Sequence, residues 1–302
     1  MNKPEKPLTS QSYIRELLAR YGLAAQKSKG QNFLTNPSVC PKMAVAAVGS
    51  EITGILEIGP GLGVLTRELA AAGSVAKGLA PMGLPVVAVE IDRGLEPVLL
   101  ETVGSMYTQN GGNLEVIFDD VLELDLNEII ESRFGGGPIA VCANLPYYIT
   151  TPIIMKLLET GLNIESITVM VQHEVARRVC APPGTRLCGA VTAAVHYYAE
   201  PKLLFPVSAG SFYPAPKVDS AVLRLDIRRT PAVEVENPDA FLRMMRSAFS
   251  ARRKTLINSL QNAGYNKEAV QAAFAACGLD TRLRAEQMTL EMFAGLYGAM
   301  TE

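Results

Sequence analysis

The sequence predicts an α/β fold: a mostly parallel seven-stranded sheet with helices on both faces, followed by a small C-terminal all-helical domain. Three observations carry the prediction. From Ile55 onward short apolar runs alternate with helical stretches, two further strand-like runs follow with no long crossover between them, and the chain beyond about residue 240 is periodic at helical spacing. Strands joined through helices lie parallel, and a sheet covered on both faces has strands that read as unbroken apolar runs.

At the start, Ile14, Leu17, Leu18 and Tyr21 fall on one helical face and Gly22 supplies a stop, so a short amphipathic helix precedes the sheet. The strands expected next are Ile55 to Ile58, Val86 to Val89, Leu114 to Phe118, Ile139 to Cys142 and Ile167 to Val171. Lys202 to Val207 and Ser220 to Ile227, with Pro and Gly between them, predict an antiparallel pair at one sheet edge. Arg228 to Asp239, with Pro231 and Pro238, reads as a linker. Helices are expected over Phe241 to Phe249, Thr255 to Ala263, Lys267 to Cys277 and Leu290 to Met300, punctuated by Gly264 and Gly278. Residues 1–232 are thus expected to form one domain with an N-terminal helical arm, and 233–302 a helical domain. There is no internal repeat and no low-complexity tract.

The 302 residues, 48% hydrophobic, suffice for one large core and a smaller one. No stretch approaches the ~20 apolar residues of a membrane span, and Met1 to Ser10 lacks the apolar region of a secretion signal, so a cytoplasmic protein without membrane contact is expected. Five cysteines, odd in number and without a Cys-x-x-Cys pair, read as reduced core residues; neither a disulfide framework nor a metal site is expected. The net charge of -2 hides an uneven distribution. Residues 1–30 hold six basic against two acidic side chains and residues 241–284 eight against two, leaving a strongly acidic body between them. Charge alone leaves open whether the basic ends grip a polyanion or are solvated helix surface.

Glu57-Ile58-Gly59-Pro60-Gly61-Leu62-Gly63 follows the first expected strand and precedes a helix, where a tight turn lets a ligand approach the main chain. The dinucleotide pattern G-x-G-x-x-G fails in both registers, because Val64 and Thr66 stand where its third glycine belongs. The spacing G-x-G-x-G after an acidic residue resembles instead the cofactor loop of class I methyltransferases, whose Rossmann-like sheet is of the predicted kind. Glu90 ends the second strand, where a carboxylate can accept both ribose hydroxyls of an adenosyl group, and Asp120 after the third can accept from an adenine amine.

Asn144-Leu145-Pro146-Tyr147-Tyr148 follows the fourth strand, again at the carboxyl edge where open α/β sheets bind ligands. The adenine amine is a weak nucleophile because its lone pair is delocalised into the ring. The Asn144 side-chain oxygen and a carbonyl of Leu145 or Pro146 can hold its two N–H bonds, and Tyr147 can stack on the base. Orientation and electrostatics then replace a strong general base. His173 and His196 are read as structural, not catalytic.

Assembled, these residues resemble the ribosomal RNA adenine N6,N6-dimethyltransferases, most closely their housekeeping small-subunit branch. The resemblance covers nearly the whole chain. It implies that Asn32 and Leu34, in Gln31-Asn32-Phe33-Leu34, join Gly59, Gly61, Glu90, Asp120 and Asn144 in binding S-adenosylmethionine. It implies that Asn144, Leu145, Pro146 and Tyr147 form the target-adenine loop, and that Phe212, in a segment similar to the family's F-x-P-x-P-K-V-x-S, gives the base a second aromatic face. Arg252, Arg253 and Lys254 resemble the RNA-contacting start of the family's helical domain. The implied activity is dimethylation of N6 on two adjacent adenines near the 3′ end of small-subunit (16S) ribosomal RNA during ribosome biogenesis, by a monomer acting on the RNA or a pre-ribosomal particle. Two other readings stay open: the macrolide-resistance branch acting on large-subunit (23S) RNA, and a non-catalytic assembly or transcription factor on the same fold. The chain departs from the family in a longer Gly73 to Pro85 link and in Leu187-Cys188-Gly189, where an aromatic residue commonly precedes the glycine; neither departure falls on a motif residue.

Overall fold

The computed structural model describes residues 7–26, 30–49, 51–75, 83–251 and 253–301. In chain order the elements are α1 (Gln11–Arg20), β1 (Phe33–Leu34), α2 (Val39–Ala47), β2 (Gly54–Ile58), α3 (Val64–Val75), β3 (Val86–Glu90), α4 (Glu96–Val103), β4 (Leu114–Phe118) and α5 (Leu126–Phe134). They continue with β5 (Ile139–Asn144), α6 (Thr150–Glu159), β6 (Ile164–Gln172), α7 (His173–Val179), α8 (Ala190–Tyr198), β7 (Ala199–Val207), β8 (Phe212–Tyr213) and β9 (Ser220–Ile227). The chain closes with α9 (Pro238–Ala248), α10 (Leu256–Asn262), α11 (Lys267–Ala276) and α12 (Leu290–Thr301).

Seven strands form one sheet in the order β4-β3-β2-β5-β6-β9-β7. Neighbours from β4 to β6 pair parallel, and β9 pairs antiparallel with β6 from Ser166↔Asp226 to Gln172↔Ser220. The order reverses at β2, so the crevice outside the carboxyl ends of β2 and β5 is the switch point at which such sheets bind ligands. β2 and β3 are buried throughout, as their apolar sequences require. A fully buried Leu or Ile contributes about 1.5–3 kcal/mol, so residues such as Ile55, Leu56 and Val141, all at zero exposure, hold the strand ends in place.

A second sheet of two strands pairs β1 antiparallel with β8, Phe33 opposite Tyr213 and Leu34 opposite Phe212. Thr35 N–H extends the ribbon by donating to the Ser211 carbonyl at 2.8 Å. Ahead of it, α1 is fastened to α4 through one carboxylate: Tyr13, Arg20 and Tyr21 all donate to Glu101.

Helix starts follow capping chemistry. Asp125, Asn237, Thr255 and Asn266 accept from main-chain N–H groups in the first turns of α5, α9, α10 and α11, and Pro238 opens α9 where no N–H is needed.

The chain divides into two compact units, one of residues 1–176 and 203–226, the other of 177–202 and 227–302. The second unit therefore includes α8, which the expected boundary at 232/233 assigns elsewhere. The reason is packing: Cys188, Ala193 and Tyr197 share a buried cluster with Phe241, Phe274 and Phe293, and the Tyr197 and Phe241 rings lie 5.6 Å apart. The expected linker is likewise tied down, Arg228 and Ala232 donating to the carbonyls of Tyr198 and Tyr197.

Candidate active site

Within the first unit a cleft opens at the carboxyl ends of β2, β3 and β5, with about 1110 Å³ of non-protein space, its open mouth included. It brings together all eleven residues expected to bind cofactor or base: Asn32, Leu34, Gly59, Gly61, Glu90, Asp120, Asn144, Leu145, Pro146, Tyr147 and Phe212. Of the three residues expected to bind RNA, Arg253 and Lys254 are exposed just before α10, and Arg252 lies outside the described residues.

One half of the cleft is made by strand ends. Gly59, Gly61 and Gly63 all have positive φ, at 73°, 58° and 83°. The first two leave the cleft floor open, since a Cβ on Gly59 would meet nothing within 4 Å and one on Gly61 only the Phe33 ring at 3.7 Å. Gly63 serves packing, because a Cβ there would press on Val103 of α4 at 2.8 Å. Glu90 is buried, and each of its oxygens accepts from a main-chain amide, Oε2 from Gly61 at 3.1 Å and Oε1 from Asp92 at 2.8 Å. Burial raises its carboxyl above the ordinary range, while these amide bonds act in the opposite direction by favouring the charged form. Asp120 accepts from Leu122 N–H at 2.9 Å, and Lys156 closes the same turn by donating to the carbonyls of Leu122 and Leu124.

Beneath the loop Glu57 is fully buried, and desolvation pushes its carboxyl up to about 8. Cys40, also against the cleft, has its thiol raised by burial, so it is an inert wall residue.

The other half is made by side chains. Asn144 Nδ2 makes a long 3.5 Å contact to the Asn32 carbonyl, and Asn32 Nδ2 donates to the Gly30 carbonyl at 3.0 Å. The Tyr147 hydroxyl lies 2.7 Å from Ser220 Oγ, and burial raises its pKa, so it stays neutral and is no base. Phe212, 5% exposed, faces the cleft from β8. The Pro146 carbonyl already accepts from Ile149 N–H at 3.2 Å and the Thr150 hydroxyl at 3.1 Å, which makes Leu145 the better carbonyl to hold a substrate amine.

Sequence reasoning missed several residues here. Gln31 donates to Asp92 Oδ2 at 2.8 Å and accepts from Gln26 N–H, tying the segment before β1 to the turn after Glu90. Ile91 and Tyr148, both exposed large apolar side chains, stand against the cleft. Gln31 and Tyr148 stand inside the Gln31–Leu34 and Asn144–Tyr148 motifs, which is the signal for them; an Ile directly after a strand-end Glu is the signal for Ile91. His173 and His196 do not line the cleft, and no group of three metal-ligating side chains occurs among the described residues. No helix among them is long and apolar enough to cross a membrane.

Comparison with known proteins decides the family. The ribosomal RNA adenine dimethylase pattern matches residues 22–301. The chain belongs to the ribosomal RNA adenine dimethylases. Among relatives of this dimethylase, the ribosomal RNA small subunit methyltransferase A of Alkaliphilus oremlandii is 42% identical over 291 residues, 96% of each chain. That of Clostridioides difficile is 38% identical over 290 residues, 96% of this chain and 95% of the relative. Two solved structures share the dimethylase fold almost equally. A dimethyladenosine transferase from Plasmodium falciparum superposes with a TM-score of 0.64 at 25% identity, covering 87% of this chain and 95% of its own. The 23S rRNA methyltransferase ErmE gives 0.63 at 27%, covering 90% and 100%. Shape does not separate the branches of the dimethylases; sequence does, and it sides with the small-subunit branch.

Proposed function

We propose that the protein transfers methyl groups from S-adenosylmethionine to N6 of two adjacent adenines near the 3′ end of small-subunit (16S) ribosomal RNA, giving N6,N6-dimethyladenine, as a single chain in the cytoplasm. The observation that carries the reading is the meeting of Glu90 and the Asn144–Tyr147 loop in one cleft, in a chain of the adenine dimethylase family. The residues fit an adenosyl cofactor: a carboxylate held by two amides can accept ribose hydroxyls on its remaining lone pairs, Gly59 and Gly61 allow close approach to the main chain, and Asp120 can accept from an adenine amine. Bound there, the cofactor supplies an electrophilic methyl group on a sulfonium.

The chain's own part is orientation. Asn144 Oδ1 and the Leu145 carbonyl accept the two N–H bonds of the substrate amine, which localises its lone pair, while Tyr147 and Phe212 sandwich the base. Stacking of this kind is worth about 1–3 kcal/mol per base. The adenine must leave its helix to enter, so the substrate is a structured RNA gripped by shape and backbone. Arg252, Arg253 and Lys254 supply phosphate contacts in the helical domain, 233–302 with α8. Charge reversal at these three positions is expected to flatten the dependence of RNA affinity on salt.

The test is incubation with methyl-labelled S-adenosylmethionine and, separately, small-subunit and large-subunit ribosomal RNA or particles. Label recovered as dimethyladenosine from the small-subunit sample supports the reading. Recovery from the large-subunit RNA alone would move the protein to the macrolide-resistance branch, and no transfer to either would leave an RNA clamp without turnover.

A further inference from the structure

Of the chain's ten tyrosines and nine phenylalanines, all of them among the described residues, only Tyr148 is exposed. Its side chain is 59% accessible, and it stands against the cleft directly after the target-adenine loop. Eighteen aromatic rings are wholly or partly covered, and the exception lines the cleft. Leaving a ring in water forgoes burial worth a few kcal/mol.

The ring is also steadied. A Cβ built on Gly30 would fall 3.3 Å from Tyr148 Cε1 and 3.2 Å from Pro146 Cβ, so the main chain at Gly30, at φ 63°, packs against one edge of the ring and leaves the rest open. Its neighbour Tyr147 differs in every respect, half-buried and bonded to Ser220. Tyr147 is tied within the cleft, and Tyr148 stands open to solvent beside it.

We propose that Tyr148 is a stacking platform for the nucleotide next to the adenine being methylated, catching that base when the target is swung out of its helix. The inference rests on the proposed RNA-methylating activity. A base deprived of its stacked neighbour exposes a π-face, and an exposed tyrosine held at the mouth replaces the lost stack. Tyr148 is thus a positioning residue, acting on substrate capture and on how far the target enters, not on the reacting atoms.

The test compares wild type with Tyr148→Ala, Tyr148→Phe and Tyr148→Trp. Kinetics use small-subunit ribosomal particles. Fluorescence uses full-length small-subunit RNA ligated to carry 2-aminopurine at the 5′ or the 3′ neighbour of the methylated adenine. Tyr148→Ala is expected to raise KM for the particle about tenfold, equivalent to 1.4 kcal/mol and within the range of base–aromatic stacking, with kcat within about twofold. Phe and Trp should restore KM. One of the two 2-aminopurine positions should change its fluorescence on binding wild type, Phe and Trp but not Ala. Unchanged KM in the Ala variant, or the same fluorescence response as wild type at both positions, would overturn the platform. A loss of S-adenosylmethionine affinity in the Ala variant, read by calorimetry without RNA, would make Tyr148 a cofactor wall instead and equally overturn it. Absence of methyl transfer by the wild type would be failure of the underlying activity, a distinguishable result.

Discussion

The two halves of the cleft are built by different means. Around Glu90 the positions are set mostly by main chain, glycines at positive φ and amide donors from Gly61 and Asp92, with the Gln31 and Lys156 side chains tying down the neighbouring turns. Around Asn144 they are set by side chains, through a long contact to Asn32, a hydroxyl pair between Tyr147 and Ser220, and a ring edge on Gly30. A site fixed by strand ends is preorganised before any ligand arrives. A site fixed by side chains can be tuned one residue at a time, and it loses geometry as well as contact when one is removed. Cofactor chemistry needs a fixed pocket; a base arriving on a folded RNA needs a receptive one.

The largest effect should come from the rigid half. On the proposed role of Glu90 toward the ribose, Glu90→Ala removes two charge-assisted hydrogen bonds to the cofactor of about 1.5–3 kcal/mol each, so cofactor affinity measured by calorimetry should fall at least a hundredfold. RNA affinity should stay near wild type and the variant should remain folded, with a lowered thermal transition because the Gly61 and Asp92 amides lose their acceptor. A variant that binds cofactor normally would remove Glu90 from the cofactor pocket, and one that unfolds would make it a structural residue.

Asn144→Ala should come next, with methyl transfer in single-turnover assays down by about a hundredfold or more, the scale of losing one oriented polar group in a preorganised site. Filter binding of RNA should be nearly unchanged. If RNA affinity fell in step with transfer, the base half would be a docking surface and not a reaction site.

Glu57 underlies the rigid half, buried beneath the glycine loop. Its folded carboxyl sits near 8, above the ordinary 4.5, so the folded state binds the extra proton. Stability from this group is therefore complete below about pH 4.5 and is lost as pH rises toward 8, at roughly 1.4 kcal/mol per pH unit within that window. Glu57→Gln should remove this share of the slope, so urea unfolding would find the variant gaining on wild type between pH 5 and 8. Parallel curves would mean that Glu57 is ionised and compensated beneath the loop.

The smallest effect belongs to Tyr147→Phe. Losing the bond to Ser220 costs about 0.5–1.5 kcal/mol of orientation, a change of several-fold in kcat/KM, with the ring still present to stack. Tyr147→Ala should cost distinctly more. Equal losses would assign the work to the hydroxyl.

Much of this was legible in the sequence because it is local. A strand, a glycine turn and an acid at the next strand end need only chain order and periodicity to be read, and β4 and β9 run as the apolar pattern predicts. β1 and β8 were not legible, since two residues have no period and their partners are some 180 positions apart. The place of α8 escaped for a similar reason, because Cys188 and Tyr197 find their neighbours in helices that begin forty residues later. In the cleft, the pair Tyr147-Tyr148 looks symmetrical as letters; which ring is tied and which is open depends on Ser220 and Gly30, both distant in sequence. The competition for the Pro146 carbonyl was hidden too, as it arises only once α6 winds its first turn.

The ribbon of β1 and β8 fixes a length as well as a shape. Phe33 lies opposite Tyr213 and Leu34 opposite Phe212, and Thr35 bonds to Ser211. Side chains alternate between faces along a strand, so a shift of one residue turns each to the wrong side. Deleting or inserting a single residue between Asn32 and Thr35 would exchange the directions of Phe33 and Leu34, detach Asn32 from its place beside Asn144, and misalign Phe212 in the same stroke. Point changes at these positions can be graded by the contacts they remove, but the spacing itself admits no gradation, and gene variants that alter it should be inactive whatever residues they carry.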